Sequence, residues 1–183
     1  MNLTVALKDL LSQEARCGRT HVLAIDGRAG AGKTTLAVEL FLALSLEKAV
    51  TLIHLDEIYD GWNGALDHSL SRKLADLLKE ISQGNTYKLS IYDWSLNKYT
   101  REREIFPTDV LIIEGVGSAQ AAVRKYATAT IWLDISSPVG LSRVLERDGG
   151  SIASEMIQWQ VQEEAHFLAD QTRENSDFIL STS

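Results

Sequence analysis

The chain has 183 residues, 45% of them hydrophobic and 23% charged, with a formal net charge of −7. That length fits one domain, expected over residues 1–183, with a core that needs no disulfide or metal staple. The acidic balance argues against a broad nucleic-acid or anionic-membrane surface, and the single cysteine, Cys17, excludes an intrachain disulfide.

Residues 1–16 carry Leu3, Leu7, Leu10 and Leu11 at helical spacing, with Lys8, Asp9 and Glu14 among them. This predicts an amphipathic helix packed on the domain rather than a secretory leader. Cys17 follows with no Cys or His cluster around it and reads as an inert thiol of a reducing compartment. No stretch approaches the roughly 20 apolar residues of a membrane span. The expected setting is the cytoplasm, with no membrane or nucleic-acid partner, as a monomer or homodimer.

"HVLAID" (21–26) reads as a strand, and a helix runs through "TTLAVELFLALSLE". Between them lies Gly27-Arg28-Ala29-Gly30-Ala31-Gly32-Lys33-Thr34, the G-x-x-x-x-G-K-[ST] pattern of a phosphate-binding loop. Glycines let backbone N–H groups approach phosphate closely, and the following helix adds its positive N-terminal end. Lys33 suits the β- and γ-phosphates, the Thr34 hydroxyl suits Mg²⁺, and Thr35 suits a further phosphate oxygen.

"VTLIHLD" (50–56) is a second strand ending at Asp56, and "SLSRKLADLLKEIS" (69–82) places Leu70, Leu74, Leu77, Leu78 and Ile81 on one helical face. "DVLIIEGVG" (109–117) is a third strand carrying Glu114, "ATIWLDI" (129–135) a fourth, and "SDFILST" a fifth. Pro138 opens a helix that stops before Gly149 and Gly150, and a long helix spans about 153–174. Apolar strands alternating with helices predict an α/β fold with a parallel sheet covered on both faces. Such sheets bind ligands beyond the carboxyl ends of their strands, where the glycine loop, Asp56 and Glu114 converge.

The remaining motifs narrow the chemistry. "NKYT" (97–100) lacks the carboxylate of a guanine-reading N-K-x-D, and no D-x-x-G follows the third strand, so ATP is expected rather than GTP. A short chain with one phosphate loop favours a small-molecule kinase. Asp56 suits a general base, or otherwise a helix N-cap, and Glu114 suits a Mg²⁺-bound water or an acceptor hydroxyl, or otherwise a structural cap. Arg143 and Arg147 share a helical face and suit charge neutralisation or a solvated surface. Asp93 between Tyr92 and Trp94, with Trp62 opposite, is the acceptor-site candidate, the alternative being core packing of the rings. Arg101 and Arg103 alternate with glutamates as on an exposed edge strand; if either faced the pocket the acceptor would be anionic. His54 reads as a strand residue, while Trp159, Glu163 and His166 read as packing the long helix, with Glu163 able to tie down a lid.

Together the phosphate loop, "HLDEIYDGW", "YDW", "EGVG" and "RVLERDGG" resemble the phosphoribulokinase/uridine kinase family, and within it the small actinobacterial uridine-kinase-like ATP-binding proteins. The resemblance runs from about His21 to Ile179. It implies a three-layer nucleoside/nucleotide-kinase-like fold with a five-stranded parallel sheet of order 2-3-1-4-5. It also implies ATP and Mg²⁺, with Thr34, Asp56 and Glu114 toward the metal, Arg143 toward the nucleotide and Tyr59 toward the acceptor. Residues 143–152 are the expected lid. Where uridine kinases carry a D-S-F-Y-type stretch, this chain has Asp56-Glu57-Ile58-Tyr59, and residues 63–90 lack the look of a uridine-binding hairpin. The expected activity is phosphoryl transfer to a hydroxyl of a nucleoside-like or sugar-like metabolite. The alternative is an ATP-binding regulatory NTPase or a degenerate kinase.

Overall fold

The structure is a computed structural model and describes residues 3–182. Helix α1 (Leu3–Leu10) is shorter than the predicted 1–16; residues 1 and 2 lie outside the described residues. Strand β1 (His21–Gly27) is buried along its whole length and leads through the glycine loop into α2 (Lys33–Leu44). Strand β2 (Val50–His54) ends in a 3-10 turn (Leu55–Glu57), followed by the short α3 (Gly61–Gly64) and by α4 (His68–Ser82). Asp67 caps α4 by accepting the Ser69 N–H at 2.7 Å, and all five residues of its predicted apolar face are buried.

Strands β3 (Tyr87–Asp93) and β4 (Lys98–Ile105) form an antiparallel hairpin outside the main sheet. Sequence reading recognised only the edge-strand pattern of Arg101–Glu104. The signal it passed over is the period of two in Tyr87, Leu89 and Ile91, which point inward while Lys88 and Ser90 face solvent. Strand β5 (Val110–Glu114), α5 (Ala121–Arg124), β6 (Ala127–Asp134), α6 (Ser137–Asp148), a 3-10 turn (Gly150–Ile152), α7 (Ala153–Asp170) and β7 (Phe178–Ser181) complete the chain. Helix α7 stops four residues short of the predicted Glu174, at Gln171, whose φ of 51° is left-handed.

The main sheet is parallel, in the order β2-β5-β1-β6-β7. Counting only its own strands, that is the expected 2-3-1-4-5. Alternation along the strands divides the core into two layers. Leu23, Ile25, Val110, Ile112, Ile131 and Leu133 pack under α1 and α2 with Leu7, Leu11, Ala37 and Leu40. Val22, Ala24, Ile53, Leu111, Ile113 and Trp132 face the other way, against α4, α5 and α7. Among the described residues no helix is long and apolar enough to cross a membrane.

Cys17 lies in the second layer, fully buried, its thiol donating to the Leu78 carbonyl at 3.3 Å and pushed up to about 11 by burial. The folded protein should therefore resist a disulfide-exchange reagent at about pH 8 and take up one equivalent only on unfolding. Reaction of the native chain at the rate of a free thiol would refute this burial.

Candidate active site

Register brings the carboxyl ends of the central strands level. Glu114 pairs with Ile25 of β1 on one side and His54 of β2 on the other. Just beyond them the chain leaves β1 and turns into α2. Gly32 occupies the left-handed region at φ 89°, which favours glycine. At Gly30 a Cβ would stand 2.3 Å from the Gly140 carbonyl oxygen, so the loop and α6 meet backbone to backbone. That contact fixes the arginine-bearing helix against the phosphate loop.

Lys33 is buried and donates from Nζ to the carbonyls of Gly27 at 2.9 Å and Arg28 at 2.8 Å. Thr34 Oγ1 donates to Glu114 Oε1 at 3.1 Å. The same carboxylate oxygen lies 2.6 Å from His54 Nδ1. A carboxylate only accepts, so Nδ1 carries the proton, and this bond holds the His54 ring above its ordinary pKa against the opposing effect of burial. The sequence alone reads His54 as a strand residue, because its partner comes from another strand 60 positions away.

The loop opens into a cavity of about 470 Å³. Ala29, Gly30, Gly32, Lys33, Thr34 and Thr35 form one side of it, and Arg143 and Arg147 of α6 line it as well. Arg143 also donates to the Thr182 carbonyl at 2.8 Å, and Arg147 pairs with Asp148 at 2.6 Å. Asp56 enters from the 3-10 turn after β2. Its carboxylate is open to solvent, yet it stands in a concavity crowded by protein. This crowding raises its pKa above the usual range, Lys33 and Arg147 opposing the shift and Glu114 adding to it.

The other wall is aromatic. Trp62 meets Trp94 edge-on at 5.3 Å and Trp159 at 6.0 Å, and Tyr59 packs on Trp159 at 5.3 Å. Trp94 sits at the tip of the hairpin and donates from Nε1 to the Asp56 carbonyl at 2.8 Å, pinning the hairpin to the acidic turn. Tyr59 lines the cavity, but its hydroxyl is taken by the Val116 carbonyl at 2.8 Å. Val116, Ile152, Met156 and Trp159 complete the wall; sequence reading assigned none of them to it, and helical periodicity alone would have left Met156 and Trp159 in the core.

Several expected site residues stand elsewhere. Asp93 shapes the hairpin turn instead of facing an acceptor: its Oδ1 accepts the N–H groups of Ser95 at 3.0 Å and Leu96 at 3.1 Å and the Ser95 hydroxyl at 2.6 Å. Tyr92 lies behind Trp94, packed on Trp94 and Tyr99, and does not line the cavity. Arg28 turns away to α7, pairing with Glu164 and lying 3.6 Å from Glu163. Gly27 and Ala31 are buried structural members of the loop. Neither Arg101 nor Arg103 lines the cavity; Arg103 donates to the Leu52 carbonyl at 3.0 Å and pairs with Glu57 at 3.4 Å.

Two further buried acids stand behind the loop, Asp26 with no role expected from the sequence and Glu163 with a different one. Asp26, the penultimate residue of β1, receives three backbone N–H groups, from Gly27 at 2.8 Å, Gly117 at 3.0 Å and Ala119 at 2.8 Å. Burial raises its carboxyl and these donors pull it back. The signal was a lone acid in an otherwise apolar strand. Glu163, read earlier as packing or tying a lid, ties the phosphate loop instead. Its Oε2 accepts the Ala29 N–H at 3.0 Å and the Trp159 Nε1–H at 3.2 Å.

A phosphate loop at the carboxyl edge of a parallel sheet, opening onto carboxylates and an arginine helix, defines a nucleotide-binding protein of the kinase type. The sequence matches the profile of the Phosphoribulokinase / Uridine kinase family over residues 22–153, and the chain belongs to that family. A uridine kinase of Clostridium novyi is 28% identical over 146 residues, which cover 71% of this chain and 69% of that one. The solved "Possible Uridine Kinase" of Bacillus stearothermophilus superimposes with a TM-score of 0.66 at 20% identity, covering 96% of this chain and 99% of that one. D-glycerate 3-kinase of Cryptococcus neoformans gives a TM-score of 0.59 at 16% identity, with 99% and 96% covered, and shares the fold. The chain is an ATP-dependent small-molecule kinase, a phosphotransferase acting on a hydroxyl group.

Proposed function

We propose that the chain transfers the γ-phosphoryl group of Mg·ATP to a hydroxyl of a small, uncharged metabolite with a flat apolar face, nucleoside-like or ring-bearing and sugar-like. The observation that carries this reading is one cavity lined at once by the phosphate loop, Asp56 and a wall of three tryptophans. In this reading Asp56 takes the proton of the acceptor hydroxyl. The acceptor oxygen bonds to the γ-phosphorus as the bond to the bridging oxygen breaks, and ADP leaves. Lys33 and the loop amides hold the phosphates, while Arg143 and Arg147 offset the charge in transfer.

Magnesium fits the oxygen donors present: the Thr34 hydroxyl and the Glu114 carboxylate are 3.1 Å apart, and Asp56 shares their cavity. Among the described residues no three His, Cys, Asp or Glu side chains gather into a protein-only cage. Mg²⁺ needs none, since it takes one or two carboxylates with waters and substrate phosphates. Bound there, it would neutralise charge on the β- and γ-phosphates.

Among the described residues the cations lining the cavity are Lys33, Arg143 and Arg147, at the loop and on α6; none comes from the hairpin. A phosphorylated acceptor would bring its charge against indoles and two carboxylates, and the cations near enough to Asp56 to offset it, Lys33 and Arg147, are those this reading assigns to the nucleotide phosphates. The test is ADP production with Mg·ATP across nucleosides, sugars, vitamin precursors and sugar phosphates. An uncharged ring-bearing acceptor should raise turnover well above the water background. Lys33→Ala should lower that turnover by at least about 100-fold. A sugar phosphate as the best acceptor would overturn the uncharged reading. Tight ATP binding with no acceleration by any acceptor would favour the regulatory NTPase.

A further inference from the structure

Helix α7 touches both halves of the cavity. On the acceptor side it supplies Met156 and Trp159 to the wall, and Gln162 donates from Nε2 to the Trp62 carbonyl at 3.1 Å. On the nucleotide side Glu164 pairs with Arg28 of the phosphate loop. Glu163 stands between the two sides. Its side chain is fully buried, and a single oxygen, Oε2, accepts both the Ala29 N–H of the loop and the indole N–H of Trp159. Its other oxygen, Oε1, is buried without a hydrogen bond among the described residues and lies 3.6 Å from the Arg28 guanidinium.

A buried carboxylate left half-satisfied is costly, so a purely structural brace is better made from an apolar side chain. What this carboxylate does that an apolar residue cannot is bind the loop amide and the acceptor wall through one atom. A displacement of the loop amide would therefore act on Oε2 and, through the second bond, on the Trp159 indole. We infer that Glu163 is a positioning residue that couples the phosphate loop to the acceptor wall, so that nucleotide binding sets the orientation of Trp159 before the acceptor enters. This rests on the reading of the tryptophan wall as the acceptor site.

The test uses Mg·ADP as probe and the indole N–H resonances of the whole chain labelled with ¹⁵N-tryptophan, the Trp159 signal assigned with Trp159→Phe. In the unsubstituted protein, Mg·ADP should shift the Trp159 resonance. Glu163→Leu should bind Mg·ADP about 10-fold more weakly and show no Trp159 shift. Glu163→Gln should recover the shift, because its amide oxygen can accept the same two N–H groups. Saturation of the unsubstituted protein by Mg·ADP with an unmoved Trp159 signal would overturn the coupling, and this arm does not depend on any variant folding. A full shift in Glu163→Leu would overturn it equally, since the nucleotide would then act on Trp159 by another route. No acceptor is used here. If an uncharged acceptor is found but Trp159 stays silent, only the coupling falls; if Trp159 responds but no acceptor is found, the acceptor-site reading falls alone.

Discussion

Asp56→Asn should lower acceptor-stimulated turnover by roughly 1000-fold while leaving Mg·ATP binding intact. Asparagine keeps the size of the side chain but cannot take a proton. The surrounding geometry should survive the change. The contact that pins the hairpin here is made by the Asp56 carbonyl to Trp94, not by its carboxylate. The carboxylate itself is open to the cavity, so removing its charge leaves no buried donor unpaired. Measurement of kcat and KM for both substrates, with Mg²⁺ varied, decides its role. A fall in kcat at constant KM for Mg·ATP supports a base at the acceptor. If the loss is instead recovered by raising Mg²⁺, Asp56 is a metal-side group and the base must be sought elsewhere. A loss under about 10-fold would remove it from the proton transfer altogether.

How far the sequence reached depended on the range of the interactions. The phosphate loop is contiguous, so its pattern named Lys33, Thr34 and the strand and helix around them before any fold was known. Asp56 and Glu114 were legible because each closes an apolar run, and a parallel sheet gathers such ends at one edge. The α4 face was legible from periodicity alone. The hairpin was not recognised, since its partner strands signal weakly and β4 carries charges on most of its length. Asp93 misled for a related reason. A carboxylate flanked by two aromatic rings looks like a sugar site, but three donors just after it in the chain claim its oxygen. The His54–Glu114 and Glu163–Ala29 contacts span 60 and 134 positions, and nothing local announces either. Trp159 and Met156 have the spacing of core residues and are indeed largely buried, yet they face a cavity, a distinction that sequence periodicity does not carry.

Asp26→Ala should cost about 3 kcal/mol of stability, a larger effect than most single substitutions. Two terms oppose each other. Removing a buried carboxylate relieves its desolvation, and that burial is strong enough to raise its pKa. Against this, three backbone N–H groups, of Gly27, Gly117 and Ala119, lose their acceptor together. Each orphaned buried donor costs about 1–3 kcal/mol, so the loss of three outweighs the relief of one satisfied charge. Urea unfolding should show the drop as a lower midpoint with an unchanged slope. Asp26→Asn, which keeps one acceptor oxygen but turns an N–H₂ toward a donor, should fall between the two. A cost below about 1 kcal/mol for the alanine variant would mean that the loop finds other partners for these N–H groups. The position ties stability to the site. Gly117 and Ala119 follow Val116, whose carbonyl receives the Tyr59 hydroxyl and whose side chain lines the cavity. The folded fraction of Asp26→Ala should therefore lose more affinity for acceptor than for Mg·ATP, because two of the three orphaned donors lie in the segment after β5 and only Gly27 lies in the phosphate loop.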